Sequence, residues 1–244
     1  MGKMEVIFIL IALALIFLVR FLYQNGFSGA KVNPEVKDRQ IKVACVGDSI
    51  TYGFGIKNWP KNNYPTQLQN LLGENFNVAN FGVSGCCVGR KTELSFLKTK
   101  TYLDSLDYRA DILIFMMGSN DSIAFNWTDR EKFKEEYLHL LETYVKDEDI
   151  KVYLCTVSKA YFPKGRTTGM TNFGIQPKII ETIVEIIKEI ATEKNYELID
   201  IYELTSQNFN WFKKDKVHPD KEGALAIAEE VYRKIKTNEH PQGV

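Results

Sequence analysis

The chain divides into one long apolar run and, after a polar stretch, a series of short apolar runs separated by amphipathic segments. The long run is VIFILIALALIFLV at positions 6–19, and the polar stretch covers 24–40. A membrane span needs about 20 mostly apolar residues, and the apolar centre of a signal peptide needs about 7 to 15. We therefore predict an anchor or export signal over 1–23, with a slight preference for an uncleaved anchor. A buried core helix is the alternative, although such helices rarely lack a polar face.

The small residues Ser28, Gly29 and Ala30 offer a cleavage site if the segment is removed. Lys3 lies on one side of the apolar run, and Arg20 and Lys31 lie on the other. This charge difference is too weak to predict the orientation. We treat 24–40 as a linker.

The short apolar runs after the linker predict five strands. They are Ile41–Val46, Phe76–Phe81, Asp111–Met117, Lys151–Val157 and Tyr196–Ile201. The segments between them predict helices at Tyr64–Leu72, after a Thr128/Glu131 capping box, at Ile179–Ala191 and at Pro219–Ile235. Alternating strands and helices predict an α/β sandwich with a parallel sheet, and the nearly continuous apolar strands predict burial on both faces. We expect one domain over 41–236 and a tail over 237–244.

The composition agrees with this fold and limits the partners and the cysteine chemistry that the chain can have. The 244 residues with 45% hydrophobic content suit one folded domain. Lys plus Arg and Asp plus Glu both number 31, so the formal net charge is zero and no nucleic-acid partner is indicated. The four cysteines, Cys45, Cys86, Cys87 and Cys155, do not resemble a disulfide framework or a metal site, and we expect buried free thiols.

Candidate chemistry gathers where strands end. In parallel α/β sheets, ligands bind beyond the carboxyl ends of the strands. The sequence places GDSITYGFG (47–55) after the first strand, NFGVSGCCVG (80–89) after the second and GSNDS (118–122) after the third. A fourth loop, KKDKVHPDKEG (213–223), precedes the last helix. We expect these four loops to meet at one edge of the sheet.

Ser49 in the first loop is a candidate nucleophile, and a serine hydroxyl needs a base within hydrogen-bond reach. Of the three histidines, His139 falls on the polar face of a helix and His240 in the tail. His218 lies in the fourth loop, three residues after Asp215, which can fold back and orient the imidazole. His218 is therefore the predicted base.

Acyl transfer also needs hydrogen-bond donors for the developing oxyanion. The backbone N–H of Gly85, the side-chain amide of Asn120 and the N–H of Ser49 are the candidates. Each motif alone also has a structural interpretation as a turn, a cap or a helix start.

Taken together, the four loops resemble the motifs of the SGNH hydrolases, also called the GDSL esterase/lipase family. The matching blocks are Gly47-Asp48-Ser49-Ile50, Ser84-Gly85, Gly118-Ser119-Asn120-Asp121 and Asp215 with His218-Pro219. The resemblance implies a three-layer α/β/α sandwich with a five-stranded parallel sheet of flavodoxin-like type. It also implies a Ser49–His218–Asp215 triad and an oxyanion hole formed by Ser49, Gly85 and Asn120, with Gly82 as an alternative to Gly85. No metal or organic cofactor is implied.

Two other functions remain as alternatives. One is a catalytically inactive ligand-binding module on the same fold. The other is a phosphate-handling enzyme with GDSITYGFG as the cradle, although this stretch lacks the lysine of a P-loop.

The substrate is less constrained than the reaction. The loops combine rings and amides that suit a sugar, namely Tyr52, Asn58, Trp59, Asn62, Asn63, Tyr64, Asn126 and Trp127. Ordinary loop packing explains these residues equally well. We favour short-chain esters, acetate first, with a glycan as a candidate carrier of the ester and a lysophospholipase or thioesterase as the alternative. The basic segment Phe162–Phe173 is predicted to cover the site. The sequence does not indicate an oligomeric state.

The apolar run generates a prediction about location. We expect the catalytic domain outside the cytoplasm, either anchored by residues 1–23 or released after cleavage. Fractionation of cells that express the full chain tests this expectation, and recovery of the uncleaved chain in the soluble cytoplasmic fraction would contradict it.

Overall fold

The five predicted strands form one parallel sheet in a computed structural model that describes residues 3–24, 33–146, 149–171, 173–212 and 214–239. The strands are β1 Ile41–Gly47, β2 Phe76–Gly82, β3 Ile112–Met116, β4 Lys151–Cys155 and β5 Glu197–Ile199. Their order in the sheet is β2-β1-β3-β4-β5, and every neighbouring pair is parallel. The predicted five-stranded parallel sheet is confirmed.

Helices cover both faces of the sheet and complete the predicted three-layer sandwich. In chain order, the α-helices of the described residues are α1 Lys3–Gln24, α2 Ser49–Tyr52, α3 Trp59–Asn62, α4 Tyr64–Leu72, α5 Lys100–Asp107, α6 Arg130–Val145, α7 Pro177–Lys194, α8 Ile201–Ser206 and α9 Lys221–Glu239. Side chains of β3 alternate between two cores. Leu113 and Phe115 pack with α6 and α7, whereas Ile114 and Met116 pack with α4 and α9.

Some element boundaries differ from the sequence-based expectation for local reasons. Asp129, rather than Thr128, caps α6, because its carboxylate accepts the backbone N–H of Lys132 at 2.8 Å. The last helix begins at Lys221, since Pro219 belongs to the preceding loop. The short helices α2, α3, α5 and α8 were not predicted, because pieces of four to eight residues carry little periodicity.

The N-terminal apolar run is helical but does not join either core. All side chains described in α1, at positions 4–20, are exposed, so the alternative of a buried core helix is wrong. Among the described residues, no helix is long and apolar enough to cross a membrane. The predicted cleavage residues Ser28, Gly29 and Ala30 lie outside the described residues.

The end of the predicted linker is bound to the edge strand of the sheet. Asn80 in β2 donates its backbone N–H to the side-chain oxygen of Asn33 at 2.8 Å, and the Asn77 amide donates to the Glu35 carbonyl at 3.0 Å. These contacts occupy part of an edge that would otherwise be open to pairing with another chain.

The predicted cysteine chemistry is confirmed. Cys45, Cys86, Cys87 and Cys155 are all buried free thiols. Burial raises the pKa of Cys45 to about 12, which keeps this side chain protonated and unreactive at neutral pH.

Two glycines at the end of the sheet determine how α2 is placed. Gly47 and Gly82 are paired in register at the ends of β1 and β2. A Cβ on Gly82 would lie 2.2 Å from the backbone nitrogen of Tyr52, and a Cβ on Gly47 would lie 2.7 Å from the carbonyl oxygen of Met116. Because neither position carries a side chain, α2 can pack directly against the ends of these two strands.

Candidate active site

Ser49 occupies the first turn of α2, directly beyond the carboxyl end of β1. Asp48 caps this turn, since its carboxylate accepts the backbone N–H of Ile50 at 2.9 Å. Burial raises the pKa of Asp48, although the hydrogen bond from Ile50 acts in the opposite direction. Asp48 therefore stabilises the turn that presents the Ser49 hydroxyl.

Ser49, His218 and Asp215 form a continuous hydrogen-bonded row. The Ser49 Oγ lies 2.8 Å from His218 Nε2, and His218 Nδ1 lies 2.9 Å from Asp215 Oδ2. This row matches the one expected from the sequence. Ser49 is 8% exposed and His218 is 9% exposed, so the hydroxyl and the imidazole are largely shielded from water while still bordering a cavity.

The loop from Asp215 to His218 is held by hydrogen bonds from its backbone to the Asp215 side chain. Lys216 adopts a left-handed conformation with φ of 71°. The loop folds back so that Asp215 Oδ1 accepts the N–H groups of Val217 at 2.9 Å and His218 at 2.8 Å. Burial raises the pKa of Asp215, but the hydrogen bond from the His218 ring and these backbone bonds outweigh it, and the net pKa is lowered. Asp215 is thus kept ionised beside the imidazole.

Gly85 and Asn120 border the same cavity as Ser49. Gly85 has φ of +83°, a conformation that favours glycine. The Asn120 side-chain amide donates one hydrogen to the Cys86 carbonyl at 3.0 Å, which leaves its second hydrogen for a ligand. Gly82 is not equivalent, because it lies inside β2 and its N–H donates to Asn80 Oδ1 at 2.9 Å. The geometry favours Gly85 over Gly82 as an oxyanion donor.

Asp121 joins the loops that carry these two donors. Its Oδ1 accepts the backbone N–H groups of Val88 at 3.1 Å and Gly89 at 3.3 Å. Burial raises the pKa of Asp121 to about 7, against the effect of these two hydrogen bonds. The sequence showed Asp121 as part of a motif, but only the structure reveals this link.

The cavity beside Ser49 and His218, the candidate catalytic cavity, has a volume of about 330 Å³. It is lined by Ser49, Phe54, Ser84, Gly85, Leu94, Ser119, Asn120, Ile123, Phe173, Ile175, Val217 and His218. Among the described residues, no group of three or more His, Cys, Asp or Glu side chains could hold a metal ion.

Two phenylalanine rings flank the imidazole. The ring centroids of Phe54 and Phe173 lie 4.9 and 5.0 Å from that of His218. Phe173 ends the basic segment that was predicted to cover the site, and it is the only residue of that segment in the cavity wall, with Asn172 outside the described residues. Phe54 was missed by sequence reasoning, although it stands between two glycines in the first motif loop.

The proposed sugar platform after the nucleophile is wrong. Tyr52, Trp59, Asn63 and Tyr64 are each at most 3% exposed, and none of them borders the cavity. The rings of Tyr52 and Trp59 stack at 4.9 Å, and Asn63 caps α4 through the N–H of Thr66 at 3.0 Å. These side chains are part of the packed interior, as the alternative interpretation held.

The remaining residues of the predicted sugar platform do not line the catalytic cavity either. Asn58 and Asn62 also lie away from its wall. Asn126 and Trp127 line a different cavity, beside the loop that follows β3.

Comparison with known proteins identifies relatives of the whole domain. Residues 45–226 match the model of the GDSL-like Lipase/Acylhydrolase family. An acetylxylan esterase of Xylanibacter ruminicola is 29% identical over 234 residues, covering 88% of this chain. The chain spans only 47% of that relative's length.

Solved structures show the same fold. A lipase/acylhydrolase from Enterococcus faecalis is 20% identical, with a TM-score of 0.64, covering 81% of this chain and 96% of its own. An acetyl xylan esterase is 23% identical, with a TM-score of 0.62, covering 80% of this chain and 100% of its own. At these identities the structural likeness speaks for the fold alone.

The buried Asp121 carboxyl predicts a pH-dependent stability. Its folded-state pKa of about 7 lies above its ordinary value of 3.8, so its contribution is fully present below about pH 4 and is lost as the pH rises through about 7. We expect the free energy of unfolding of the wild type to fall relative to Asp121→Asn over this interval. An asparagine oxygen in place of Oδ1 can still accept both backbone N–H groups.

Urea unfolding at a series of pH values from 4 to 9 measures this difference. Asp38→Asn, at an exposed position, corrects for the loss of one negative charge. Wild-type and Asp121→Asn stabilities that stay parallel across the range would contradict the prediction.

Proposed function

The chain belongs to the GDSL-like lipase/acylhydrolase family, and on that premise we propose that it is a carboxylic ester hydrolase for short acyl groups, with acetyl first. The observation that carries this proposal is the hydrogen bond of 2.8 Å between the Ser49 hydroxyl and His218 Nε2, at the wall of a cavity that also holds Gly85 and Asn120. A hydroxyl, a base and two donors at one surface are the groups that acyl transfer requires.

In the proposed mechanism, Ser49 Oγ attacks the ester carbonyl while His218 Nε2 accepts the hydroxyl proton. The carbonyl electron pair moves to oxygen, and the N–H groups of Ser49 and Gly85 and the Asn120 amide stabilise the negative charge. The tetrahedral species collapses, the alcohol leaves with the proton from His218, and an acyl-serine remains. Water then attacks the acyl-serine with the same assistance, and this releases the acid and restores Ser49. Asp215 holds the imidazole and stabilises its charged form.

The acetyl preference and the carbohydrate substrate rest on similarity. The relative from Xylanibacter ruminicola is an acetylxylan esterase. We infer that an acetylated glycan is the substrate class of this chain, without a metal or organic cofactor in the chemical step.

A second candidate is a hydrolase for longer acyl chains, of the lysophospholipase or thioesterase type. The apolar part of the cavity wall, which includes Phe54, Leu94, Ile123 and Phe173, favours it. The volume of about 330 Å³ also exceeds what a two-carbon acyl group needs.

We also propose that the catalytic domain works outside the cytoplasm. The apolar composition of positions 6–19 and the exposure of those side chains in α1 support an export segment. The fractionation experiment described above tests this location.

The mechanism predicts the effect of three substitutions. Ser49→Ala and His218→Ala should each lower kcat for p-nitrophenyl acetate by at least about 10³-fold, since the nucleophile or its base is lost. Asn120→Ala should lower kcat by about 10²- to 10³-fold, the effect typical of one oxyanion donor. Steady-state kinetics with purified protein measures all three. Ser206→Ala, a serine on α8 away from the cavity, is the matched control. Near-normal turnover of folded Ser49→Ala would remove the mechanism.

The substrate proposal predicts a dependence on acyl-chain length. Among p-nitrophenyl esters of two to twelve carbons, kcat/KM should be highest for acetate and fall with length. Release of acetate from acetylated xylo-oligosaccharides, run in parallel, tests the glycan. A clear preference for acyl chains of eight or more carbons would reject the acetyl proposal in favour of the second candidate.

A further inference from the structure

A second cavity, of about 230 Å³, lies beside the catalytic one. Its wall comes from three segments: positions 88–92 after β2, position 121 with positions 125–128 after β3, and the first half of α6. None of the residues assigned above to the triad or the oxyanion hole lines it.

The two cavities share a wall made of the same two loops. In the loop after β3, Asn120 and Ile123 line the catalytic cavity, whereas Asp121 and Phe125 line the second. In the loop after β2, Gly85 and Leu94 line the catalytic cavity, whereas residues 88–92 line the second. Since neighbouring residues of both loops line both spaces, the two cavities lie on either side of one wall.

Hydrogen bonds make this shared wall a fixed structure. Asp121 accepts the N–H groups of Val88 and Gly89, and Asn120 donates to the Cys86 carbonyl. The Asn126 amide donates to the carbonyl oxygen of Asn120 at 2.8 Å. The Asn126 side chain, which lines the second cavity, is thereby hydrogen-bonded to the backbone of Asn120, a candidate oxyanion donor.

Phe125 lines the second cavity, and its side chain is unusually exposed to solvent. At 79%, it is the most exposed large apolar side chain among the described residues. Trp127 is half-buried against Phe133, with ring centroids 5.9 Å apart, and Asn126 lies between the two aromatic residues in the chain. Lys91, Thr92 and Thr128 add polar groups to the wall. An exposed ring beside hydroxyl and amide groups suits a pyranose, which is apolar on its faces and polar at its rim.

We propose that this second cavity binds a sugar ring of the acetylated oligosaccharide, next to the ring that carries the scissile ester, with Phe125 as its stacking surface. The proposal rests on the proposed function. It makes Phe125 a specificity-determining residue for oligosaccharide esters.

The charges of the cavity favour a neutral ring over an anion. Arg90 pairs with Glu135 at 2.6 Å and with Glu136 at 2.7 Å, and Lys132 pairs with the same two carboxylates at 2.8 and 3.1 Å. Asp121 adds a further carboxyl to the wall. Arg90 and Lys132 are thus matched by carboxylates, and Lys91 and Asp121 add one basic and one acidic group, so the wall carries no pronounced charge of either sign. The same polar groups make it a poor site for an acyl chain.

Kinetics with two substrates tests the proposal. Phe125→Ala should raise KM for partially acetylated xylotriose by about 3- to 10-fold, the size expected for one ring contact, and leave kcat close to normal. The same variant should leave both constants for p-nitrophenyl acetate unchanged, since this substrate has no second ring. Phe125→Tyr keeps the stacking surface and should behave as wild type. Leu103→Ala, which removes another exposed apolar side chain from α5, is the matched control.

A binding measurement gives a readout besides activity. Trp127 lines the cavity, so unacetylated xylotriose should change the tryptophan fluorescence of Ser49→Ala, and the added Phe125→Ala substitution should weaken the titration by a similar factor.

The outcomes separate this inference from the proposed function. If the wild type releases acetate from acetylated xylotriose and Phe125→Ala does not change KM for this substrate, the second-cavity site alone is overturned. Turnover of p-nitrophenyl acetate but not of acetylated xylotriose overturns the glycan substrate and this site together. Equal losses on both substrates would show that Phe125 supports the fold of the loop and not a sugar, and would also overturn the proposal.

Discussion

The backbone contact between α2 and the carboxyl end of the sheet is the constraint on which the candidate site depends. Gly82 lets the backbone nitrogen of Tyr52 approach so closely that a Cβ would lie 2.2 Å from it, and Gly47 leaves no more room beside Met116. Since α2 has only four residues, a shift of even a fraction of an ångström at this contact would move Ser49 relative to His218. The large rings of Tyr52, the last residue of α2, and of Trp59 are buried and stack on each other next to this contact in the chain.

A second constraint joins the loops that lie opposite α2. Asp121 and Asn120 are neighbours in the chain, and each bonds to the backbone of the loop after β2. The candidate oxyanion donors Gly85 and Asn120 are therefore held by one set of hydrogen bonds, in a buried place where an unmade bond is costly. The burial that raises the pKa of Asp121 is the consequence of placing this link inside the protein.

The two cavities differ in the chemistry of their walls. Phe54 and Phe173 give the catalytic cavity an apolar lining around His218, which shields the imidazole and the Ser49 hydroxyl from water. The neighbouring cavity combines exposed Phe125 with amide, hydroxyl and charged groups. A substrate with an apolar acyl group on one side of the ester and a hydroxyl-rich leaving group on the other would match this division.

The sequence by itself determined the parallel α/β fold class, because the periodicity of each segment and the alternation of strands and helices are local patterns. It also singled out Ser49, Asp215 and His218 as groups that act together, whereas the order of the strands and the distances between these side chains were decided by packing. It could not decide which aromatic residues face a ligand. Tyr52 and Trp59 were predicted to form a binding platform but are buried in the protein interior. Phe54 was not predicted to matter but packs against the His218 ring. It also showed Thr128 as a helix cap where Asp129 does the capping. Burial and contacts across loops arise only when distant segments pack, so the lining of both cavities and the link through Asp121 were decided by the tertiary structure alone.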